Sequence, residues 1–376
     1  MQTIEVGVIG CGYWGPNLIR NLVEMPEAKL VAVTDLRSDR LAHISARYPG
    51  VRVTDDYWDL FSMSLDAVVV ATPPSTHFRI ARDCLEHGLN LLVEKPLTLN
   101  SRDAVELIQI AESRNLILMV GHTFEYNAAV RALKELIDSG ELGQIHYIDA
   151  VRVSLGLFQP QLNVIWDLAP HDISILLYLL DSDPVLINAQ GADCIFKGKP
   201  DIAYLNLDFA DLTLAHVRIS WLDPCKVRRI TVVGSKKMVV YDDVENLEKI
   251  KIYDKGVEAL PYTDTFADFQ CSYRYGNVVI PNIPFVEPLR VECQHFVKCI
   301  VNGTKPQSCG RTGLKVVHVL EAAERSLYYG GLPMAITWDG ELMRHRVPHG
   351  EDLSGEREVQ TDALGEEASS CEHATA

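Results

Sequence analysis

Lys95, Asp167 and His171 are the residues of this 376-residue sequence whose types and spacing could handle the hydroxyl of an alcohol. Asp167 and His171 lie four apart in Trp166-Asp167-Leu168-Ala169-Pro170-His171-Asp172, so at a helix start both side chains fall on one face. A histidine near its neutral pKa can take a proton from a hydroxyl, and a neighbouring carboxylate fixes its tautomer and stabilises the imidazolium. Lys95, in Glu94-Lys95-Pro96, is a cation that can donate to the same hydroxyl and steady the charge developing on its oxygen. Each has a plainer alternative. Asp167 and Pro170 also suit ordinary helix initiation with His171 merely packed, and Lys95 could be a surface lysine paired with Glu94.

The N-terminus offers a place for a hydride carrier. The apolar run Ile4 to Ile9 ends in Gly10, Gly12 and Gly15, a G-x-G-x-x-G set, and a helical pattern follows from Pro16 through Leu18, Ile19, Leu22 and Val23. Strand, glycine turn and helix in that order form the context in which the motif binds a dinucleotide. Gly10 permits the tight turn, Gly12 lets a pyrophosphate approach the backbone, and Gly15 lets the helix pack close to the strand. A glycine turn with no ligand is the alternative. Asp35 closes the next strand, Leu30 to Thr34, 25 residues after Gly10. Its carboxylate would accept hydrogen bonds from the adenosine ribose and repel a 2′-phosphate, which favours NAD over NADP. Arg37 pulls mildly the other way, and Asp35 could instead cap the following helix. Tyr13, Trp14 and Leu36 are expected to border the same ligand.

The elements that must position these groups read as two architectures. Through residue 122 strands and helices alternate: a helix over 38–48, strands at Val51–Val53, Ala67–Ala71, Leu91–Val93 and Leu116–Val120, and a helix from Ser101 to Arg114. Two prolines in Thr72-Pro73-Pro74-Ser75-Thr76-His77 stop the Ala67–Ala71 strand at the carboxyl edge of the sheet, where doubly wound folds bind ligands. A helix from Thr123 to Ser139 carries the chain across. Period-two strands then follow one another from Ile145 to Tyr241, interrupted by a helix from Pro170 to Leu180, which means a mostly antiparallel sheet. Pro261–Pro288 reads as irregular, and helices over about 288–302 and 313–329 close that second part. The expectation is α/β: a doubly wound parallel Rossmann sheet over 1–122, an α+β domain with an open-faced sheet over 123–340, and a disordered acidic tail over 341–376.

The totals bound the function classes. Formal charge is −16, of which −7 sits in residues 351–376, and no basic footprint for nucleic acid remains. No apolar run reaches the length of a membrane span, the N-terminus lacks a signal-peptide pattern, and nine scattered cysteines without a C-x-x-C pair suit a cytoplasmic protein. No metal site is assigned.

The glycine motif, Ala71-Thr72-Pro73-Pro74-Ser75-Thr76-His77, Glu94-Lys95-Pro96 and Asp167-x-x-x-His171 occur in that order. Together they resemble the glucose–fructose oxidoreductase / inositol dehydrogenase (Gfo/Idh/MocA) family, from about residue 3 to 338 and including Pro288-Leu289-Arg290-Val291-Glu292. The resemblance implies NAD(P)-linked oxidation or reduction of a sugar or cyclitol carbon, with Lys95 as the family's catalytic lysine and Asp167 and His171 as its paired Asp and His. It also implies that Thr72, Pro73 and His77, with Glu94 and Lys95, line the nicotinamide side, and that the open sheet face makes a homodimer or homotetramer. Many relatives carry an Asp three residues after the His, where this chain has Ser174 and places Asp172 beside His171, so which carboxylate orients the imidazole stays open. Tyr126, Asn127, Trp166 and Arg274 are expected sugar contacts, since aromatic, amide and guanidinium groups suit hydroxylated ligands. The glycine loop Gly-Tyr-Trp-Gly-Pro-Asn looks like that of members from sugar-nucleotide pathways, pointing to NAD-dependent oxidation of a nucleotide-linked sugar, at C3. An NADPH-dependent ketoreductase of deoxysugar synthesis and a dinucleotide-sensing regulator are the alternatives; a regulator has no need of Lys95, Asp167 and His171 together.

Overall fold

Short apolar runs alternating with amphipathic segments build the first layer. The computed structural model describes residues 3–159, 161–259 and 271–338, so the expected tail lies outside the described residues. β1 (Ile4–Ile9), α1 (Gly15–Val23), β2 (Ala28–Thr34), α2 (Ser38–Arg47), β3 (Arg52–Thr54), β4 (Ala67–Val70), α3 (Pro74–Glu86), β5 (Asn90–Glu94), α4 (Ser101–Ser113) and β6 (Leu118–Gly121) follow in order. The strands form a parallel sheet ordered β3-β2-β1-β4-β5-β6, the doubly wound arrangement. Val68, Val69 and Val70 are fully buried, as a parallel strand covered on both faces requires. The order reverses between β1 and β4, which places the glycine loop and the Thr72–Pro73 turn side by side.

The chain then gives α5 (Ala128–Asp138), β7 (Ile145–Val153), α6 (Val164–Leu180), β8 (Pro184–Ala192), β9 (Ile202–Phe209), β10 (Leu214–Ser220), β11 (Val227–Gly234), β12 (Met238–Asp242), β13 (Ile250–Ala259), β14 (Cys271–Val279), α7 (Pro288–Asn302), α8 (Gly310–Tyr328) and β15 (Met334–Ala335). The second sheet runs β14-β13-β12-β11-β7-β10-β9-β8-β15. Among the described residues all its neighbouring pairs are antiparallel except β7 with β10. Period two sorts its faces: Ala150, Leu205, Val217 and Val232 are buried, while Tyr147, Tyr204 and Leu214 stay exposed on the other side.

Several elements differ from the sequence expectation, and β13 and β15 are not among the expected strands. The helix expected over Thr123–Ser139 is a 3-10 turn, Thr123–Tyr126, followed by α5, because the Asn127 side chain accepts from the Ala129 amide and starts a new helix there. The helix expected at Pro170 begins at Val164, because Asn163 Oδ1 accepts from the amides of Ile165 and Trp166; Asp167 and Pro170 therefore lie inside it. Pro261–Pro288 is not wholly irregular: Cys271–Val279 is an edge strand on β13, whose exposed Tyr273 and Tyr275 hid its pattern. The closing helices also reach back. Leu289, Cys293 and Phe296 of α7 join the core of α1, and Gly313 of α8 sits so close to Val120 that a Cβ would come within 2.6 Å.

Candidate active site

The glycine loop has the shape a dinucleotide needs. Gly10 takes φ +102°, which L side chains rarely adopt, and a Cβ on Gly15 would stand 2.2 Å from the Gly10 carbonyl oxygen. On Gly12 a Cβ would meet Arg40 Nη1 first, at 3.7 Å, so that side of the turn is open to a close-approaching group. No side chain caps the N-terminus of α1; Pro16 has no N–H and the Asn17 and Leu18 amides donate to the Trp14 carbonyl, so the loop leading into the helix is what faces phosphate oxygens. Asp35 Oδ2 accepts from the Cys11 amide at 2.6 Å and Oδ1 from the Arg37 amide at 2.9 Å, which anchors the carboxylate beside the loop. Tyr13 and Leu36 flank it at 78% and 91% exposure, with Trp14 also exposed. Arg37 turns away to pair with Asp39. The cation nearest Asp35 is instead Arg40, at 3.7 Å, a residue that sequence reading passed over as an ordinary helical position.

At the carboxyl edges of β4 and β5 a second group of residues is locked together. His77 is fully buried in α3, with Nδ1 2.8 Å from the Pro96 carbonyl oxygen and Nε2 2.8 Å from that of Thr72. It buckles the Thr72–Pro73 turn to the segment that carries Lys95. Burial pushes the Glu94 carboxyl up to about 7, with the Lys95 charge opposing. Lys95, its side chain 11% exposed, donates to the Asp167 carbonyl at 2.7 Å and reaches Asp167 Oδ1 at 3.5 Å. That bond falls in the turn where Pro170 has no N–H for the Trp166 carbonyl.

α6 brings Asp167 and His171 to the same place, but not to each other. Asp167 Oδ2 accepts from Trp221 Nε1 at 3.0 Å, so its carboxylate serves the lysine and the indole. Asp172 is bound in a fork by Arg152 at 2.7 and 3.0 Å, both buried. Neither carboxylate bonds the imidazole, which corrects the expected Asp167–His171 pair. The His171 ring meets Phe124 edge-on at 5.2 Å, and its Nδ1 is enclosed with no hydrogen-bond partner. Burial first, then Lys95, Arg152, Arg228 and His122, hold the imidazole well below its ordinary pKa, so it is a neutral acceptor at physiological pH. Trp221 and Arg152 were missed by sequence reading. Arg152 had a signal: it is a charge in the inward phase of Ile148, Ala150 and Arg152.

The expected sugar contacts fall elsewhere. Tyr126 is buried with its hydroxyl on Ser308 Oγ at 2.9 Å, and Asn127 is the cap of α5. The Trp166 indole donates to Glu324 Oε2 at 3.0 Å. Arg274 lies on edge strand β14, tied to Asp254, Glu258 and the Lys236 carbonyl. All four have structural work that their residue types did not reveal. Among the described residues no cluster of metal-ligating side chains occurs and no helix is long and apolar enough to cross a membrane.

Residues 4–122 match the model of an oxidoreductase family with an NAD-binding Rossmann fold, and residues 130–240 match that of the GFO/IDH/MocA C-terminal domain. The chain belongs to the Gfo/Idh/MocA oxidoreductases. It is thus an NAD-binding oxidoreductase of a family whose members act on CH–OH groups. It is similar to the UDP-N-acetylglucosamine 3-dehydrogenase of Acidithiobacillus ferrooxidans, 29% identical over 69% of this chain and 80% of that one. It also resembles the myo-inositol 2-dehydrogenase of Thermotoga maritima, 25% identical over 86% of this chain and 96% of that one. The crystal structure of GenD2 from gentamicin A biosynthesis, in complex with NAD, shares the fold with a TM-score of 0.76 at 23% identity, covering 90% of this chain and 97% of that one.

Proposed function

We propose that this chain oxidises a secondary hydroxyl of a pyranose, C3 of a nucleotide-linked sugar, with NAD as the hydride acceptor. The observation that carries the reading is the meeting of Lys95 and His171 at the carboxyl edge of a dinucleotide-binding sheet. Similarity to a UDP-N-acetylglucosamine 3-dehydrogenase supports the sugar and the carbon. Bound NAD supplies an electrophilic ring carbon that takes the hydride. The Gly10–Gly15 loop holds its pyrophosphate, Asp35 its adenosine ribose, and the Thr72–His77 turn with Glu94 and Lys95 borders its nicotinamide. Lys95 donates to the reacting oxygen and His171 takes the hydroxyl proton at Nε2, since Nδ1 is enclosed. Asp167 and Trp221 hold the lysine in place. The open face of the second sheet, with Tyr147, Tyr204 and Leu214 exposed, is proposed as the contact between copies in a dimer or tetramer.

The test is NADH formation with UDP-, GDP- and dTDP-sugars and free polyols, for the wild type, His171→Ala and Lys95→Met. Turnover of a nucleotide sugar, a loss of about a hundredfold or more in each variant and unchanged NAD binding are expected. A preference for free polyols would overturn the nucleotide-sugar part, and wild-type rates in both variants would overturn the mechanism.

A further inference from the structure

His122 has no place in that mechanism, yet the structure does not treat it as filler. It follows β6, is 1% exposed, and neither of its ring nitrogens has a hydrogen-bond partner. Such a group needs an explanation. The β5–β6 register pairs Glu94 with Gly121, so Lys95 and His122 are the next residues along neighbouring parallel strands. Two residues on, Phe124 packs against the His171 ring, while the Lys95 ammonium bonds the Asp167 carbonyl one turn before His171. His122 thus follows β6 where Lys95 follows β5, and it bears on the charge of His171. His171 Nδ1 is likewise an enclosed nitrogen without a partner. The effect of His122 on the charge of the His171 ring ties the two unmet imidazoles together.

We propose that His122 is the positioning residue of His171, accepting the hydrogen bond of Nδ1–H through one bridging water, so that Nε2 is left unprotonated toward the substrate hydroxyl. The proposal rests on His171 being the base. In the reaction the hydroxyl proton moves to Nε2 as the hydride leaves the carbon; Nδ1 keeps its proton, and His122 is neither protonated nor deprotonated. A neutral partner suits this position. Lys95 from the end of β5, Arg152 of β7 and Arg228 of β11 all bear on His171 as cations, and Asp167 and Asp172 on its own helix are engaged elsewhere. Burial and the Lys95 charge hold His122 itself down to about 3, so it stays an uncharged acceptor.

His122→Phe removes the acceptor and His122→Gln restores one. Nitrogen-15 spectra of the His171 ring, taken without substrate, should show the Nδ1–H tautomer in the wild type and in His122→Gln, and mixed tautomers in His122→Phe. With substrate, His122→Phe should lower kcat by about tenfold at constant KM. Its acid limb should move to lower pH by about one unit, because the imidazolium has lost an acceptor. A merely structural role would lower Tm and leave tautomer and pH limb alone. A folded His122→Phe with wild-type tautomer and wild-type acid limb overturns the proposal. Should that variant fail to fold, mixed His171 tautomers in the wild type itself overturn it. The intact tautomer effect in an enzyme that oxidises no sugar would sink the function and leave the positioning standing.

Discussion

Asp35 shows how a single carboxylate can choose between two cofactors. Its oxygens are fixed by the Cys11 and Arg37 amides, so it cannot swing aside for a 2′-phosphate, and bringing that phosphate near would set like charges together in a part-buried place. NAD should bind at least about tenfold tighter than NADP, a difference of about 1.4 kcal/mol. Asp35→Ala should erase that preference, since Arg40 beside it and Arg37 remain as cations for a phosphate. Titration of both nucleotides against both proteins checks this; an undiminished preference for NAD in the variant removes Asp35 from the role. Arg40 then becomes the residue to examine, because it stands over the open side of Gly12 as well.

At the scale of elements, α6 matters most, for it carries Asp167, His171 and Asp172 on one turn and a half of helix. Its start is set by Asn163, which caps it through two amide bonds and donates to Glu324 of α8 at 3.1 Å. Pro170 weakens the helix interior, so the cap and the tertiary bonds of Asp167 and Asp172 have to hold the turn in place. Asn163→Ala should cost about 1 kcal/mol of stability, read by urea unfolding. It should also lower kcat, since the bonds from Lys95 and Trp221 to Asp167 depend on the register of this helix. Stability loss with full activity would show that those bonds, not the cap, place the turn.

Over the whole molecule, the seam between the first sheet and the closing helices is lined with buried acids. Thr123 donates to Glu292 Oε2 at 2.7 Å, and Gln307 contacts Glu125. Burial raises Glu125 to about 8 and pushes Glu292 well above the usual carboxylate range, the latter helped by Glu94. The folded chain thus holds protons that the unfolded chain releases above its ordinary glutamate pKa. The stability of this seam is complete below that value and declines as pH rises through about 8 for Glu125. Glu125→Gln should therefore match the wild type at pH 5 and exceed it by about 1 kcal/mol or more at pH 9; equal pH dependence of the two proteins would contradict the assignment. The exposed face of the second sheet makes a separate expectation. Light scattering should give a dimer or tetramer at micromolar concentration, and Tyr204→Glu with Leu214→Glu should shift it toward monomer; a wild-type monomer would exclude that face as an interface.

The sequence by itself determined the parts whose information is local. A glycine set between an apolar run and a helical pattern, Asp35 at a strand end, and strand–helix alternation are all written in neighbouring residues, and the doubly wound order followed from them. Lys95, Asp167 and His171 were legible as candidates because their spacing relative to strand ends and helix turns is local too. What tertiary structure decided is which polar groups remain available. Asp167 left His171 for Lys95 and Trp221, Asp172 went to Arg152, Tyr126, Trp166 and Arg274 found partners elsewhere along the chain, and Asn127 caps its own helix. A hydrogen bond between residues 54 or 158 positions apart leaves no periodic trace in either segment. The same holds for His122, which nothing in its own segment marks: only the fold buries it at the end of β6 with its nitrogens unmet.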